Sequence, residues 1–250
     1  MLISGYDFGY VWPWTHGHLV PAVLFGLMTL LAWRYRWRRT TIGLSALSLW
    51  ALAGFVVVQA VFRINRPLLL PTRGFLSSGS GRVLDAGAGS GRSALMVLLS
   101  RPGARVVALD DFSATYIADH GPGRLHANAR AAGVDDRVEV QVGDMRSMPL
   151  ESESFDAAVS ASAIDHLNSE GIARALAEVA RVLRPGGEFL LINANPDFWT
   201  RLAYPFFHGH TYYGRAPAVE RWRKRLTTAG FNIVEQGTRP ATLYFLCRKG

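Results

Sequence analysis

The densest chemical signal in this 250-residue chain is Val83-Leu84-Asp85-Ala86-Gly87-Ala88-Gly89-Ser90-Gly91. Glycines at alternate positions let the backbone turn tightly and approach a ligand with no Cβ in the way. Two common ligands fail on spacing. A dinucleotide loop needs its third glycine three residues after the second, where this chain has Arg92. A phosphate loop needs Gly-Lys-Ser/Thr, and none follows. Asp85 stands two residues before the first glycine. Its charge would repel a pyrophosphate and suits a ligand with a positive amino group.

Further motifs follow in order. Ala108-Leu109-Asp110 ends an apolar run, with Asp111 next to it. Gly143-Asp144-Met145-Arg146 follows a third run, Ser154-Phe155-Asp156 enters a fourth, and Leu183-Arg184-Pro185-Gly186-Gly187 precedes a fifth. Together these resemble the class I S-adenosylmethionine-dependent methyltransferases over roughly residues 74–250. The resemblance implies that Asp85, Gly87, Gly89 and Gly91 form the cofactor loop. It also implies that Asp110 binds the ribose hydroxyls, with Asp111 competing for that role. Asp144 would accept from the adenine amino group, with Met145 against the ring, and Ser160 would line the pocket. Acids at the ends of successive strands are where an open α/β sheet binds its ligand.

Methyl transfer from a sulfonium is an in-line displacement, so alignment and exclusion of water are the main tasks. A base is needed only where the acceptor must lose a proton. His166 is the candidate base and Asp165 its partner, although both residues could equally cap the next helix or line the pocket. The resemblance places part of the acceptor site in the segment holding His208, His210, Tyr212 and Tyr213, beyond the aromatic run that begins Phe198-Trp199. His208 and His210 lack a third ligand at a recognisable spacing, so no metal site is expected. His120 and His126 read as surface residues, and Cys247 as part of a last core strand.

Apolar runs and helical patterns must hold these residues in place. After a glycine- and serine-rich stretch, short strands are predicted at 82–84, 105–109, 138–142, 155–160, 189–192, 233–235 and 243–247. Helices are predicted between them at 93–99, 125–132, 169–183 and 218–229. The expected fold is α/β, a doubly wound, mostly parallel, seven-stranded Rossmann-like sheet preceded by two hydrophobic helices. Residues 1–66 are expected to be a membrane anchor with apolar segments at about 10–33 and 41–62, the first weakened by Pro13, His16, His18 and Pro21 so that its apolar core narrows to 19–33; residues 67–81 are expected as a linker and 82–250 as the catalytic domain.

Charge supports that division. Residues 1–73 hold seven arginines and one acid, Asp7, and so carry +6 of the net +8, which leaves +2 for the remainder. Basic groups flanking apolar runs suit a membrane surface rather than nucleic acid. One cysteine excludes a disulfide framework. The arginines at 34, 36, 38 and 39 and those at 63, 66, 73 and 82 would all prefer the cytoplasm, and two full crossings cannot satisfy both groups. The expectation is a membrane protein with its catalytic domain facing the cytoplasm. It would move a methyl group from S-adenosylmethionine to a small, lipophilic acceptor. The alternatives are a soluble small acceptor, or a cofactor-binding regulatory or assembly protein without turnover.

Overall fold

The computed structural model describes residues 5–205 and 218–250. An irregular strap leads into helices α1 (Trp12–His16), α2 (Leu19–Arg34) and α3 (Arg38–Ala60). From Ser80 onward strands and helices alternate: β1 (Ser80–Ala86), α4 (Arg92–Ser100), β2 (Gly103–Asp110), α5 (Pro122–Ala131), β3 (Val138–Val142) and β4 (Phe155–Ala161). They continue through α6 (Ser169–Val182), β5 (Leu183–Ala194), α7 (Phe198–Ala203), α8 (Ala218–Thr228), β6 (Phe231–Arg239) and β7 (Thr242–Lys249).

The seven strands form one sheet in the order β3-β2-β1-β4-β5-β7-β6. β1 to β5 pair in parallel, and β7 runs antiparallel to both β5 and β6. The strand order reverses between β1 and β4, which opens a crevice at their carboxyl ends. Both β1 and β4 are buried on two faces, as central parallel strands must be. Val83 packs into the core under α4 and α5, while its neighbour Leu84 packs into the opposite core with α6 and α8. Helix α6 earns its place through apolar residues at helical spacing, Ile172, Ala175, Leu176 and Val179, and a cap in which Gly171 N donates to Asn168 Oδ1.

One detail of the strands differs from the sequence expectation. The Arg184–Gly187 turn is a bulge within β5: Leu183 sits opposite Phe155 and Glu188 opposite Ala157. Cys247 is fully buried in β7, as expected, and burial pushes its thiol up to about 12.

The N-terminal division also needs correction. Residues 10–33 are not one helix; the chain breaks at Gly17-His18 between α1 and α2. Among the described residues only α3, with 23 residues, is long and apolar enough to cross a membrane, and α2 has 16. α2 and α3 pack as a hairpin. Small residues let them close: Ser48 Oγ donates to Ala22 O at 2.9 Å, and His18 lies against Gly54. The outer faces stay apolar and bare, with Leu27 60%, Trp33 70%, Ile42 70% and Leu49 65% exposed.

The ends of residues 1–66 and the stretch 67–81 belong to the catalytic fold rather than standing apart. Phe8 and Phe75 are fully buried in the core with Val83 and Leu95. Ser90 Oγ donates to Phe8 O at 2.8 Å, and Arg101 Nε donates to Phe75 O at 2.9 Å. β1 starts two residues inside the stretch expected as linker.

Candidate active site

Gly87, Gly89 and Gly91 all adopt left-handed backbone, with φ of +81°, +52° and +92°. A Cβ at Gly87 would collide with the Ala163 methyl and lie 2.8 Å from Met145 Cε. The turn after β1, the turn after β4 and the residue following Asp144 therefore meet at one point, and only glycine leaves room there. Gly87 N and Ala88 N both donate to Leu109 O, at 2.8 and 3.1 Å, which locks the loop against the end of β2. Gly91 then opens α4 as its N-cap.

The four acids turn out to have four different situations. Asp110 accepts from Gly89 N at 2.8 Å and from Phe112 N at 2.6 Å, and it keeps a partly open face in the crevice. Asp111 is exposed and accepts from Ser113 N and Oγ, closing a local turn. Of the two neighbours, Asp110 is the one that touches the glycine loop. Asp85 departs from expectation. It is fully buried, and Ser93 Oγ donates to both its oxygens at 2.9 and 2.7 Å, tying β1 to the first turn of α4. Burial pushes its carboxyl up to about 7 against the lowering effect of Ser93, and the Asp110 charge adds to the rise. Its side chain is thus a framing group and not an open charge for an amino group. Asp144 is half-exposed and held bidentately by Arg146, whose Nε and guanidinium NH2 donate at 2.7–2.9 Å. That pairing holds its carboxyl below the usual range, and an adenine amino group would have to compete with it.

Ser160 is buried, and its Oγ donates to Ala86 O at 2.7 Å. It bridges β4 to β1 instead of lining the crevice. Beyond it, Ser162 takes a left-handed turn (φ +50°) and a short 3-10 turn, Ile164–His166, carries the candidate base. His166 is exposed and its ring stacks on Tyr116, centroids 5.8 Å apart. Asn168, not Asp165, caps α6. Asp165 lies near enough for its charge to help raise the Tyr116 hydroxyl above the usual tyrosine range, behind the larger effect of burial. His208, His210, Tyr212 and Tyr213 lie outside the described residues.

Two features escaped the sequence reading. The first is the strap. Tyr10 bridges Ile117, Ala118 N donates to Gly9 O at 2.7 Å, and Val11 N donates to Tyr116 O at 3.3 Å. Tyr10 stacks on Tyr116, and Trp14 tilts against both Tyr116 and Tyr204. The residues just before the hairpin thus wall the His166 side of the crevice. The second is His120, which is buried rather than on the surface: its side chain is 6% exposed, 3.9 Å from Asp110. Its position in the connection after β2 was the available signal, because such connections line the crevice of an open sheet. His126, by contrast, pairs with Asp135 at 2.6 Å.

Residues 83–187 match the family model described as a methyltransferase domain. The ubiquinone/menaquinone biosynthesis C-methyltransferase UbiE of Syntrophotalea carbinolica is 33% identical over 50% of this chain and 48% of its own length. The malonyl-[acyl-carrier protein] O-methyltransferase of Methylococcus capsulatus is 27% identical over 82% of this chain and 69% of its own. The chain spans between 28% and 69% of the length of the curated relatives it matches, and close to half in several cases. The fold is shared with the structure of N,N-8-amino-8-demethyl-D-riboflavin dimethyltransferase from Streptomyces davawensis, at a TM-score of 0.56 and 19% identity over 94% of this chain and 69% of that one. The crevice fits the nucleoside end of S-adenosylmethionine: a Cβ at Gly89 would meet no atom nearer than 3.8 Å, so the loop is open there, and Asp110 beside it is an oriented carboxylate suited to a diol. Residues 83–187 thus carry a methyltransferase domain, set within a seven-stranded Rossmann-like sheet, and the relatives support S-adenosylmethionine as its methyl donor.

Proposed function

We propose that this protein is a membrane-anchored methyltransferase that moves a methyl group from S-adenosylmethionine to a small, lipophilic acceptor, with its catalytic domain on the cytoplasmic side. The observation that carries the reading is continuity between the apolar hairpin and the crevice. His166 stacks on Tyr116, Tyr116 meets Trp14, Trp14 meets Tyr204, and Tyr204 meets Phe62 just past the end of α3. Arg92, the residue after the glycine loop, donates to the carbonyls of Phe62, Arg63 and Arg66. An acceptor dissolved among the bare side chains of α2 and α3 would thus meet aromatic surface all the way to His166. The four arginines at the hairpin tip can extend their charged ends toward a headgroup layer. The quinone-biosynthesis relative is in keeping with such an acceptor.

When bound, S-adenosylmethionine supplies an electrophilic methyl on a sulfonium, which departs as a neutral thioether. The glycine loop brings backbone close to it, and Asp110 orients its nucleoside. Tyr10, Trp14 and Tyr116 exclude water from the acceptor side, which strengthens alignment where charge is being lost. His166, with Asp165 beside it, takes the acceptor's proton where the nucleophile carries one and passes it to solvent.

The test is turnover of methyl-labelled cofactor by the full-length protein on membrane and soluble extracts, with Asp110→Ala as the control. Label in an organic-phase product, lost in the control, supports the proposal. Label confined to the aqueous product overturns the lipophilic acceptor. No label from a protein that binds the cofactor overturns the enzymatic reading in favour of a regulatory one.

A further inference from the structure

His120 is the one ring in the crevice whose buried nitrogens have no partner among the described residues. Neither Nδ1 nor Nε2 reaches hydrogen-bond distance of any group, although the side chain is 6% exposed. Buried polar atoms in folded proteins are nearly always satisfied, so an orphaned pair at a ligand crevice calls for a reason. The surroundings point to one. Asp110 Oδ1 lies 3.9 Å from Nε2, and the Phe112 ring meets the imidazole edge-on at 5.2 Å. A Cβ placed on Gly89 would sit 3.8 Å from the same Nε2. The imidazole therefore faces the glycine loop and the carboxylate together.

The segment that carries it is tied down at both ends. Asp110 accepts from Phe112 N at the start. Gly9 and Tyr10 hold Ile117 and Ala118 in the middle. Arg124, in the first turn of α5, pairs with both Asp7 and Asp119. A loop clamped this way cannot simply rotate its histidine to water. Gly9 itself sits at φ +72°, where a Cβ would lie 2.7 Å from Ala118 O, so the clamp admits no larger residue there.

We propose that His120 is a second nucleoside-binding residue, whose Nε2 hydrogen-bonds a ribose hydroxyl next to the one held by Asp110. This rests on the reading of the crevice as the S-adenosylmethionine site. The chemistry is complementary. Asp110 is an acceptor only, and each of its oxygens already receives one backbone N–H. A vicinal diol has two hydroxyls, and a neutral imidazole can donate to or accept from the second. Because Gly9 and Tyr10 hold the histidine's loop, the same contact makes the N-terminal strap part of the cofactor site.

The test is calorimetric titration of the full-length, detergent-solubilised protein with S-adenosylhomocysteine and with its 2′-deoxy and 3′-deoxy analogues. His120→Phe fills the same space without a polar atom, and His120→Gln restores one. Loss of one hydrogen bond predicts affinity for S-adenosylhomocysteine weakened about 5- to 30-fold in His120→Phe and partly recovered in His120→Gln. The decisive readout is discrimination. In the wild type each deoxy analogue binds more weakly than the parent. In His120→Phe the penalty for one of the two analogues should vanish while the other, borne by Asp110, remains. Both penalties surviving unchanged in His120→Phe would overturn the proposal, whatever the overall affinity. Absence of any wild-type binding would overturn the cofactor reading of the crevice, and this inference with it.

Discussion

The two walls of the crevice are built on opposite principles. On the glycine-loop side, backbone does the positioning: three left-handed glycines, a carbonyl at Leu109 and two N–H groups on Asp110. On the His166 side the wall is a set of aromatic faces, Tyr10, Trp14, Tyr116 and Tyr204, brought together from segments up to about 190 residues apart. Backbone geometry is specified within a few residues and tolerates almost no substitution. Aromatic packing is collective, and it can be retuned one ring at a time. A wall of the first kind suits a ligand shared across many proteins, and a wall of the second kind suits one that differs between them.

The contrast can be broken most severely through the strap that joins the two walls. Phe8→Ala should destabilise the fold by about 3–5 kcal/mol, because a fully buried ring would leave a cavity. Denaturant unfolding in detergent would measure it, and a change below about 0.5 kcal/mol would place residues 5–11 outside the domain. Next in size, Gly87→Ala should weaken S-adenosylhomocysteine by about 3 kcal/mol, since left-handed strain adds to the clash with Ala163 and Met145. Titration calorimetry reads the binding, and because the strain and the clash lie within the folded chain, denaturant unfolding should show a loss of stability alongside it.

Asp110→Asn keeps the shape but removes the charge that receives Gly89 N, and it should weaken cofactor binding roughly tenfold. Asp111→Asn, which touches only Ser113, should leave binding unchanged. Asp85 sharpens the same wall through pH. Its carboxyl is raised from 3.8 to about 7, so the folded chain holds a proton that the unfolded chain releases. Stability from this group is full below the unfolded value and is lost as pH rises to about 7. Asp85→Asn should flatten the decline in urea midpoint between pH 5 and 8. An unchanged slope would show that Asp85 is not the group responsible. The smallest effect on the fold is expected in the hairpin. Leu27→Ser, at a bare position, should shift unfolding by no more than about 0.5 kcal/mol. It should nonetheless reduce sedimentation with lipid vesicles, and full retention would argue against α2 contacting a bilayer.

How far these walls could be read in advance follows from the same distinction. The glycine spacing, the acid ending the second strand and the order of apolar runs made the glycine-loop wall legible, because each feature is set by a short stretch of chain. Even there, side-chain direction was not. Asp85 and Ser160 carried the right residue types in the right motifs, yet Ser93 and the Ala86 carbonyl claim them. Asp144 faces its own Arg146, a pairing two residues long that the motif concealed. His120 went unrecognised because nothing in its flanking residues distinguishes a buried histidine from a surface one. The acceptor residues expected at His208, His210, Tyr212 and Tyr213 fall outside the described residues.

The N-terminal segment shows where local reading ends. Apolar composition alone established two hydrophobic stretches, and it marked α3 as long enough to cross a membrane. The prolines and histidines at positions 13–21 pointed to an apolar core starting near Leu19, where α2 begins, but composition could not show that Gly54 and Ser48 close the hairpin, or that Phe8 turns back into the catalytic core. By itself, then, the sequence determined the sheet, the glycine loop and the class of cofactor, since strand alternation and left-handed backbone depend on neighbouring residues. Only the tertiary structure decided which acids face the crevice and which aromatic residues wall its His166 side. Those outcomes depend on contacts such as Phe8 with Ser90 and Trp14 with Tyr204, whose formation requires the whole sheet to be assembled first.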